Sequence, residues 1–336
     1  MLVLGIETSC DETAAALVAD GNIVLSNIVA TQLDLLEKFG GVVPEIAARK
    51  HTELIGYVIK EAIESTDKSL PDVEAVAVTS KQGLVGCLLV GVAAAKSLSY
   101  SLRVPLIAVH HIEGHIFANI LSNPQMPMPH ICLTVSGGHT MLIYVRGPCQ
   151  YEVLGDTLDD AAGEALDKIA RFLGLGFPGG PAIDNLSTQG DRKNFNFPRP
   201  LLRANTLDFS FSGLKTSVIN AFKDRIANSD EVLPLEDIAA SFQEAIVDVL
   251  VSKTLRAASQ KRVAVISVTG GVSANRRLRE VFRNACQKKG LEVFFPELSL
   301  CTDNAAMTAA AGYARLELGE VADLDLDVVP NVPFEV

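Results

Sequence analysis

Residues 2–29 have the sequence LVLGIETSCDETAAALVADGNIVLSNIV. Apolar segments at 2–7 and 13–19 are separated by a polar turn, and an Asp-Gly-Asn turn at 20–22 precedes a third apolar segment at 23–29. Short apolar segments between turn residues are typical of β-strands, and Asp-Gly is a common hairpin turn. These residues are therefore predicted to form a three-stranded β-meander.

The same pattern returns from residue 130. Strand-like segments at 130–135 and 140–145 flank a Ser-Gly-Gly turn, and a Gly-Pro turn leads to a third segment at 151–154. Elsewhere, strand-like segments alternate with segments of helical periodicity, which predicts α/β layers. The predicted helices are 44–64, 85–102, 110–121, 161–173, 214–223, 235–259, one starting at 276, and 303–318, and the further strands are 73–79, 106–109, 264–268 and 292–295. We therefore expect a duplicated architecture with one meander in each half.

The charge of the chain bears on its partners. The 336 residues carry a formal net charge of −11, whereas a dedicated nucleic-acid binder is usually basic. An RNA partner would therefore need a local basic patch or a helper subunit. Two patches are candidates, and each is equally compatible with an ordinary solvated surface. The first comprises Arg192, Lys193, Arg199, Arg203 and Lys215, and the second comprises Arg276, Arg277, Arg279, Arg283, Lys288 and Lys289.

Composition and cysteine usage indicate the compartment. Hydrophobic residues make up 48% and charged residues 21%, as in soluble α/β proteins. The six cysteines form no CxxC pair, which excludes a zinc ribbon or a thioredoxin motif and fits a reducing cytosol. The N-terminus has no signal-peptide pattern, and the apolar run at 84–95 is too short to cross a bilayer. We expect a cytoplasmic protein without a membrane segment.

Two polar turns occupy equivalent places in the two meanders. The first is GIETSCDET at 5–13, and the second is TVSGGHT at 134–140. Turns rich in Gly, Ser and Thr allow backbone N–H groups to approach an anion closely, so a facing pair would clamp a phosphate chain. Each turn alone is more often an ordinary hairpin turn, and the equivalence of the two favours the phosphate-binding interpretation.

Two further segments are rich in glycine. VTGGVSAN at 268–275 lies between a predicted strand and a helix, where paired glycines allow packing against a base or ribose, although such a segment alone is more often an ordinary βα turn. FPGGPAID at 177–184 is flanked by acids that suit ribose hydroxyls. The formal GxGxxG at 174–179 follows a helix rather than a strand, so we reject it as a dinucleotide fingerprint, and no P-loop motif is present.

The segment HHIEGH at 110–115 contains three of the six histidines. His111 and His115 would share one face of a helix, where they can bind one metal ion, although such a pair also occurs by chance. Asp303 is the candidate third ligand, with N-capping of the last helix as its alternative role. Glu113 stands two residues after His111, which differs from the HExxH motif of zinc peptidases.

Together these segments resemble the TsaD family of tRNA adenosine threonylcarbamoyltransferases, once labelled Gcp or O-sialoglycoprotein endopeptidase. The motifs GIETSCDET, HHIEGH, VSGGHT, FPGGPAID, FSFSGLK, TGGVSAN and CTDNAAM occur in order within residues 1–318. The resemblance implies the α/β, two-lobed fold of the actin/Hsp70-like (ASKHA) ATPases, with duplicated mixed-sheet subdomains. The expected lobes are 1–125 and 126–320, with the last helix in either lobe, followed by a tail at 321–336.

The resemblance also implies an activity and its ligands. Members transfer the threonylcarbamoyl group from threonylcarbamoyl-AMP to the N6 amine of the adenosine 3′ of the anticodon, in tRNAs that read codons beginning with A. Bacterial members work with a TsaB-type paralogue, which dimerises through the first lobe, and with a TsaE-type ATPase. One divalent metal ion, Fe²⁺ or alternatively Zn²⁺, would lie on His111, His115 and Asp303. Adenine nucleotide, as threonylcarbamoyl-AMP or ATP, would contact Thr134, Val135, Ser136, Gly137, Gly138, Asp167, Gly180, Asp184 and Asn275.

The acids of the first turn are the candidate catalytic residues. An adenine amine is a weak nucleophile, so positioning and charge stabilisation should dominate catalysis. Asp11 or Glu12 would orient this amine or take its proton, and we favour Asp11. The alternatives are a non-catalytic TsaB-like partner, another ATPase of this fold and, less favoured, a metallopeptidase. The joint presence of His111, His115 and Asp303 favours the transferase.

Overall fold

The computed structural model describes residues 1–33, 39, 41–228 and 234–334. The chain divides into two compact units. The first consists of Met1–Met126, Gly147–Gln150 and Pro296–Val336, and the second consists of Pro127–Arg146 and Tyr151–Phe295. The second unit ends at residue 295 rather than at the expected 320, and the last helix belongs to the first unit, which is one of the two placements expected for it.

Each unit contains a five-stranded sheet. The strands of the first unit are β1 (Leu2–Glu7), β2 (Glu12–Ala19), β3 (Ile23–Thr31), β4 (Ala75–Lys81) and β5 (Leu106–His110). Those of the second unit are β6 (His130–Val135), β7 (Thr140–Gly147), β8 (Gln150–Asp156), β9 (Val265–Thr269) and β10 (Glu292–Phe294). The strand orders are β3-β2-β1-β4-β5 and β10-β9-β6-β7-β8. Each meander is extended beside its first strand by two strands that pair in parallel, so the predicted duplication is confirmed.

The helices largely follow the predicted periodicity. They are α1 (Pro44–Glu64), α2 (Val85–Leu102), α3 (His111–Ser122), α4 (Ala162–Phe172), α5 (Gly179–Leu186), α6 (Ser212–Asn228), α7 (Leu235–Lys261), α8 (Arg276–Lys289) and α9 (Ala305–Glu317). The sequence did not predict α5, whose glycines and proline favour a loop. Pro181 is tolerated there because the first turn of a helix leaves its N–H groups without intrahelical partners.

The last helix begins two residues later than predicted. The side chain of Asn304 accepts a hydrogen bond from the backbone N–H of Met307 at 3.0 Å and therefore caps α9. The alternative role of Asp303 as the N-cap of this helix was thus wrong. The carboxylate of Asp303 lies just before the start of α9.

Close packing of α9 on the first sheet fixes where this carboxylate lies. A Cβ atom on Gly5 of β1 would come within 2.2 Å of the Ala305 carbonyl oxygen, and one on Gly312 would come within 2.3 Å of the Ala77 Cβ. Only glycine allows the helix to approach the strands so closely. The start of α9, with Asp303 just before it, is therefore held beside β1.

The second unit has one continuous core, in which buried residues of β6 and β9 pack with α4, α7 and α8. Strands β6 and β9 pair in parallel, with Thr134 opposite Thr269. Since parallel strands end at the same edge of a sheet, the turns that follow them lie next to each other. The two glycine-containing turns of this unit are thereby brought together.

Within the described residues, one helix is long and apolar enough to cross a membrane by length and composition. This helix is α2, Val85–Leu102, and a third of that stretch is buried in the protein. Core helices of soluble proteins pass the same test, so the observation is weak evidence for a membrane span.

We expect the stability of the second unit to depend on pH through His130, which is fully buried at the start of β6. Burial lowers the pKa of His130 to about 4. The neutral ring therefore stabilises the fold above the unfolded pKa of about 6.5, and this contribution is lost as the pH falls towards 4, at roughly 1.4 kcal/mol per pH unit. Between these pH values, the free energy of unfolding should fall by about 3 kcal/mol less in a His130→Gln variant than in the wild type. Denaturant titrations at a series of pH values would test this, and parallel curves for the two proteins would contradict it.

Candidate metal centre and nucleotide site

His111, His115 and Asp303 form a group that could hold a metal ion. Helix α3 starts directly after β5, so its two histidines lie one turn apart on one side. The Asp303 Oδ1 atom is 3.6 Å from the His111 Nε2 atom and 3.2 Å from the His115 Nε2 atom. The candidate ligand atoms all lie within 4.8 Å of one another. The structure thus brings together the three residues that the sequence singled out.

The donor atoms of this group fit a transition metal. Two imidazole nitrogens and one carboxylate oxygen are common ligands of both zinc and iron. Both histidines are buried, whereas the Asp303 side chain is 17% exposed. A bound ion would therefore be shielded by the histidines and accessible beside Asp303.

A second layer of residues orients His111. The Ser9 hydroxyl lies 3.0 Å from the His111 Nδ1 atom, and the Glu7 Oε2 atom lies 3.7 Å from it. Glu7 is itself fixed, because it accepts hydrogen bonds from the Ser9 backbone N–H at 2.6 Å and from the Thr79 hydroxyl at 2.5 Å. Partners of this kind set the tautomer and the ring orientation of metal-binding histidines. We had not singled out Glu7 or Ser9 from the sequence, although an acid inside a buried strand was the available signal.

The predicted catalytic acids, Asp11 and Glu12, lie close enough to Asp303 for its charge to affect their pKa values. Burial, and then the charge of Asp303, raise the pKa of Asp11. Burial, followed by the charges of Asp303 and Asp11, raises the pKa of Glu12 well above its usual range. Burial alone would lower the pKa of His111, but the carboxylates of Asp303 and Glu7 raise it to about 9. Carboxyl groups that disfavour one another's ionisation in this way make a site that favours a cation.

His51 of α1 holds the turn that carries these acids. Its Nδ1 atom lies 2.8 Å from the Thr13 hydroxyl, and its Nε2 atom lies 3.0 Å from the Cys10 carbonyl oxygen. The ring therefore bridges both ends of the segment that contains Asp11 and Glu12. Sequence reasoning missed His51, because its partners are far away along the chain.

Glu113, the acid within HHIEGH, has a different role. Its side chain is fully buried, and its Oε2 atom accepts a hydrogen bond from the Arg315 Nε atom of α9 at 2.5 Å. Arg315 also pairs with Glu320. Glu113 is thus a structural ion-pair partner between α3 and α9, which agrees with the absence of a peptidase motif.

In the second unit, the turn between β6 and β7 rests on the start of α4. The Gly163 N–H donates to the Ser136 carbonyl oxygen at 3.1 Å, and the Ala162 N–H donates to the Thr140 hydroxyl at 2.9 Å. Gly137 and Gly138 are exposed, and a Cβ atom on either would meet nothing within 4 Å. Thr134 and Val135 are fully buried at the end of β6 and anchor the turn that follows them. The exposed backbone of the two glycines is therefore the part of this motif that a ligand can reach.

The turn after β9 lies against the end of β6. Gly270 has a φ of +88°, and a Cβ atom there would lie 2.4 Å from the Val135 carbonyl oxygen. Both features require glycine at this position. The next element is α8, whose N-cap is Asn275, because the Asn275 Oδ1 atom accepts from the Leu278 N–H at 2.9 Å.

The remaining predicted nucleotide residues surround α5. Asp167 of α4 accepts a hydrogen bond from the Gly179 N–H at 2.7 Å, which places it beside Gly180 at the start of α5. At the other end of α5, the Asp184 Oδ2 atom pairs with the Arg276 Nε atom at 2.7 Å. Since Arg276 directly follows Asn275, the structure brings Asp184 and Asn275 to the same end of α8.

The contact between Gly163 and the β6–β7 turn yields a prediction for nucleotide binding. A Cβ atom on Gly163 would lie 2.4 Å from the Ser136 carbonyl oxygen and 2.8 Å from the Gly137 Cα atom, so Gly163→Ala must displace the turn. We expect a loss of affinity for adenine nucleotide on the order of tenfold, since such overpacking costs about 1–3 kcal/mol. Gly213→Ala, at which a Cβ meets nothing within 4 Å, is the matched control. Calorimetric titration with ATP would check this, and equal affinities in the two variants would refute it.

Comparisons with known proteins agree with this geometry. The family model of TsaD, tRNA N6-adenosine threonylcarbamoyltransferase, matches residues 23–310. A protein of that name from Clostridium botulinum (strain Kyoto / Type A2) is 50% identical over 330 residues, which are 98% of this chain and 97% of the relative. Its namesake from Caldicellulosiruptor bescii is 50% identical over 332 residues, which are 99% of this chain and 98% of the relative.

Solved structures share the fold at low sequence identity. HypF from T. kodakarensis superposes with a TM-score of 0.64 at 15% identity, covering 94% of this chain and 48% of HypF. Component A of (R)-2-hydroxyglutaryl-CoA dehydratase from Acidaminococcus fermentans gives a TM-score of 0.54 at 15% identity, covering 94% of this chain and 99% of that protein. The predicted α/β fold with duplicated mixed-sheet subdomains is thereby confirmed. With relatives half identical along nearly their whole length, the chain belongs to the TsaD family of tRNA N6-adenosine threonylcarbamoyltransferases.

Proposed function

We propose that this chain transfers the threonylcarbamoyl group from threonylcarbamoyl-AMP to the N6 amine of the adenosine 3′ of the anticodon, in tRNAs that read codons beginning with A. The observation that carries the proposal is the buried group of His111, His115 and Asp303 in a chain of this family. A non-catalytic paralogue or a sugar kinase has no need for these three side chains together.

The group would hold one divalent ion, Fe²⁺ or alternatively Zn²⁺. The donor atoms suit either ion, and the preference for iron rests on the family resemblance. Bound there, the ion would supply a Lewis acid that stabilises negative charge on substrate oxygens. Ser9 and Glu7 would hold His111 in the orientation that presents its Nε2 atom to the ion.

The residues of the second unit would bind the nucleotide part of threonylcarbamoyl-AMP, or ATP. The exposed backbone of Gly137 and Gly138 lies beside the start of α4, where the N–H groups of the two glycines and the positive end of the helix dipole favour a phosphate. Asp167, Gly180, Asp184 and Asn275 would contact the nucleoside. Thr134, Val135 and Ser136 would contribute by holding the turn in place.

Asp11 would orient the adenosine amine and take its proton. Its pKa is raised, which brings the carboxylate closer to the range in which a general base works at neutral pH. Burial and the charges of Asp303 and Asp11 raise the pKa of Glu12 well above its usual range, and Glu12 is the second candidate for this role. His51 would position both acids through its contacts with Cys10 and Thr13.

The expected partners are tRNA, a TsaB-type paralogue and a TsaE-type ATPase, in a cytoplasmic complex without a membrane. An apolar stripe on the first unit supports a protein partner there, since Val85, Leu89 and Tyr100 recur along α2 and are 54%, 49% and 73% exposed. Tyr57 of the adjacent α1 is 75% exposed. Because the chain carries a net charge of −11, its tRNA binding should be weak alone and should fall with salt.

The metallopeptidase alternative is disfavoured by Glu113, because this acid is fully buried in its ion pair with Arg315. It cannot activate a water molecule while it is held there.

A metal-depletion experiment tests the proposal. The chain would be stripped with a chelator, reloaded with Fe²⁺ or with Zn²⁺, and assayed with threonylcarbamoyl-AMP, unmodified tRNA and both partner proteins. We expect transfer to be lost on stripping and restored by reloading, with one ion bound per chain. Full transfer by a metal-free chain would contradict the role of this centre.

A further inference from the structure

A charged cleft in the second unit is not used by the chemistry described above. This cavity of about 410 Å³ lies between the loop that carries Arg192 and Lys193 and the helices α7 and α8. Arg199 and Arg277 also line it, and its acids are Asp191, Glu244 and Asp248. We call this cavity the basic cleft. Among the residues that the structure describes, no aromatic or aliphatic side chain lines it, which disfavours a base or an apolar ligand and favours a phosphate group.

The two inner arginines of the basic cleft are fixed by acids. The Arg277 Nε and Nη2 atoms each lie 2.7 Å from an oxygen of Glu244. The Arg199 Nε and Nη2 atoms lie 3.0 and 2.9 Å from Asp248 Oδ2. Two charge-assisted hydrogen bonds from each guanidinium group to its acid hold that group in a defined position. The inner wall is therefore rigid and nearly neutral.

The two outer cations are not neutralised in this way. Arg192 comes no closer than 4.0 Å to Glu244, and its side chain is 45% exposed. Lys193 is exposed, and within the described part of the chain its ammonium group has no ion-pair partner. These two cations are available to a ligand.

The loop that carries these cations is nevertheless held firmly on α7. The Asp191 N–H and the Asn194 side chain both donate to Asp237, at 2.6 Å each. A Cβ atom on Gly190 would lie 2.0 Å from the Glu236 carbonyl oxygen, so the backbone touches the helix directly. Because the backbone is already held, binding an anion has to order only the two side chains.

In the second basic patch predicted from the sequence, most of the arginines already contact other residues of the protein. Arg276 pairs with Asp184, and Arg279 donates to the Ser273 carbonyl oxygen at 2.6 Å. Arg283 lies over the Phe295 ring. Lys288 and Lys289, at the end of α8, are the exposed remainder.

The basic cleft also adjoins the proposed nucleotide site. Gln243 of α7 accepts a hydrogen bond from the Asn275 side chain at 2.7 Å, and the next residue, Glu244, pairs with Arg277. The same turns of α7 and α8 therefore face the nucleotide site on one side and the cleft on the other. We propose that the basic cleft binds a backbone phosphate of the tRNA substrate through Arg192 and Lys193, an inference that rests on the proposed function.

The test measures tRNA binding by the chain assembled with its partner proteins. Fluorescence anisotropy with full-length tRNA would compare the wild type, R192A/K193A and the control K288A/K289A, which removes the same charge from exposed positions of the same unit. We expect R192A/K193A to weaken tRNA binding on the order of tenfold. The magnitude of the slope of log affinity against log salt concentration should fall by about 2, while the control changes neither quantity. R192K/K193R, which keeps both charges, should retain the affinity.

The outcomes separate this inference from the proposed function. Binding is measured without turnover, so it is informative even if the wild type forms no threonylcarbamoyladenosine, a result that would overturn the proposed function alone. Equal affinities of R192A/K193A and K288A/K289A would overturn the cleft assignment alone. Loss of partner assembly by R192A/K193A on size exclusion would assign the cleft to a protein partner and would also overturn it.

Discussion

His115→Ala is expected to lower the rate of threonylcarbamoyl transfer by about a hundredfold to a thousandfold. His115 is fully buried, and its Nε2 atom lies 3.2 Å from Asp303, so its loss removes one of three candidate ligands. Metal content should fall in parallel, from one ion per chain to a small fraction, as measured by elemental analysis. Transfer assays at saturating threonylcarbamoyl-AMP and tRNA would give the rate.

The matched control is His130→Gln, which alters another buried histidine outside this group. At pH 7.5 it should retain both metal and transfer, because His130 is already neutral there. A folded His115→Ala protein that transfers at the wild-type rate would refute the metal assignment. The same experiment on His111→Ala and Asp303→Asn would show whether the three residues act together.

Arg315→Ala is expected to destabilise the protein by about 3–5 kcal/mol, because it leaves the carboxylate of Glu113 buried without its partner. Glu113 is fully buried and Arg315 is only 14% exposed, so water cannot replace the lost interaction. Denaturant unfolding monitored by circular dichroism would measure the change.

The double variant Glu113→Leu/Arg315→Met separates stability from chemistry. Replacing both members of a buried pair by apolar residues of similar size is often close to neutral, so most of the lost stability should return. Transfer activity should return with it, since neither residue is among the proposed metal-binding, nucleotide-binding or catalytic residues. If the double variant is as stable as the wild type but inactive, Glu113 takes part in catalysis and the ion-pair account is wrong.

The sequence was informative about the fold because its signals are local. The Asp-Gly-Asn turn at 20–22 and the paired glycines at 137–138 mark hairpins within a few residues of the strands they join. The duplicated meander and most helices follow from such patterns. Helix α5 was missed because its glycines and proline oppose a helix locally, and its packing against α4 and α7 outweighs that preference.

The candidate site was predictable only in part, for a similar reason. His111 and His115 are close in sequence, and their spacing alone predicts a shared helix face. The residues that support them are remote, since Ser9 contacts His111 and His51 contacts Cys10 only after the chain has folded. Asp303 was a candidate because it precedes the last helix, and only the structure shows that Asn304 rather than Asp303 caps this helix.

The central claim is that this chain performs the transfer to tRNA. The most direct measurement combines the purified chain with threonylcarbamoyl-AMP, unmodified tRNA and the two partner proteins, followed by digestion of the tRNA and mass spectrometry of the nucleosides. We predict threonylcarbamoyladenosine that disappears when this chain is omitted, and also when the adenosine 3′ of the anticodon is replaced by guanosine. Absence of the modified nucleoside, with metal loaded and the partners shown to bind, would contradict the transferase assignment.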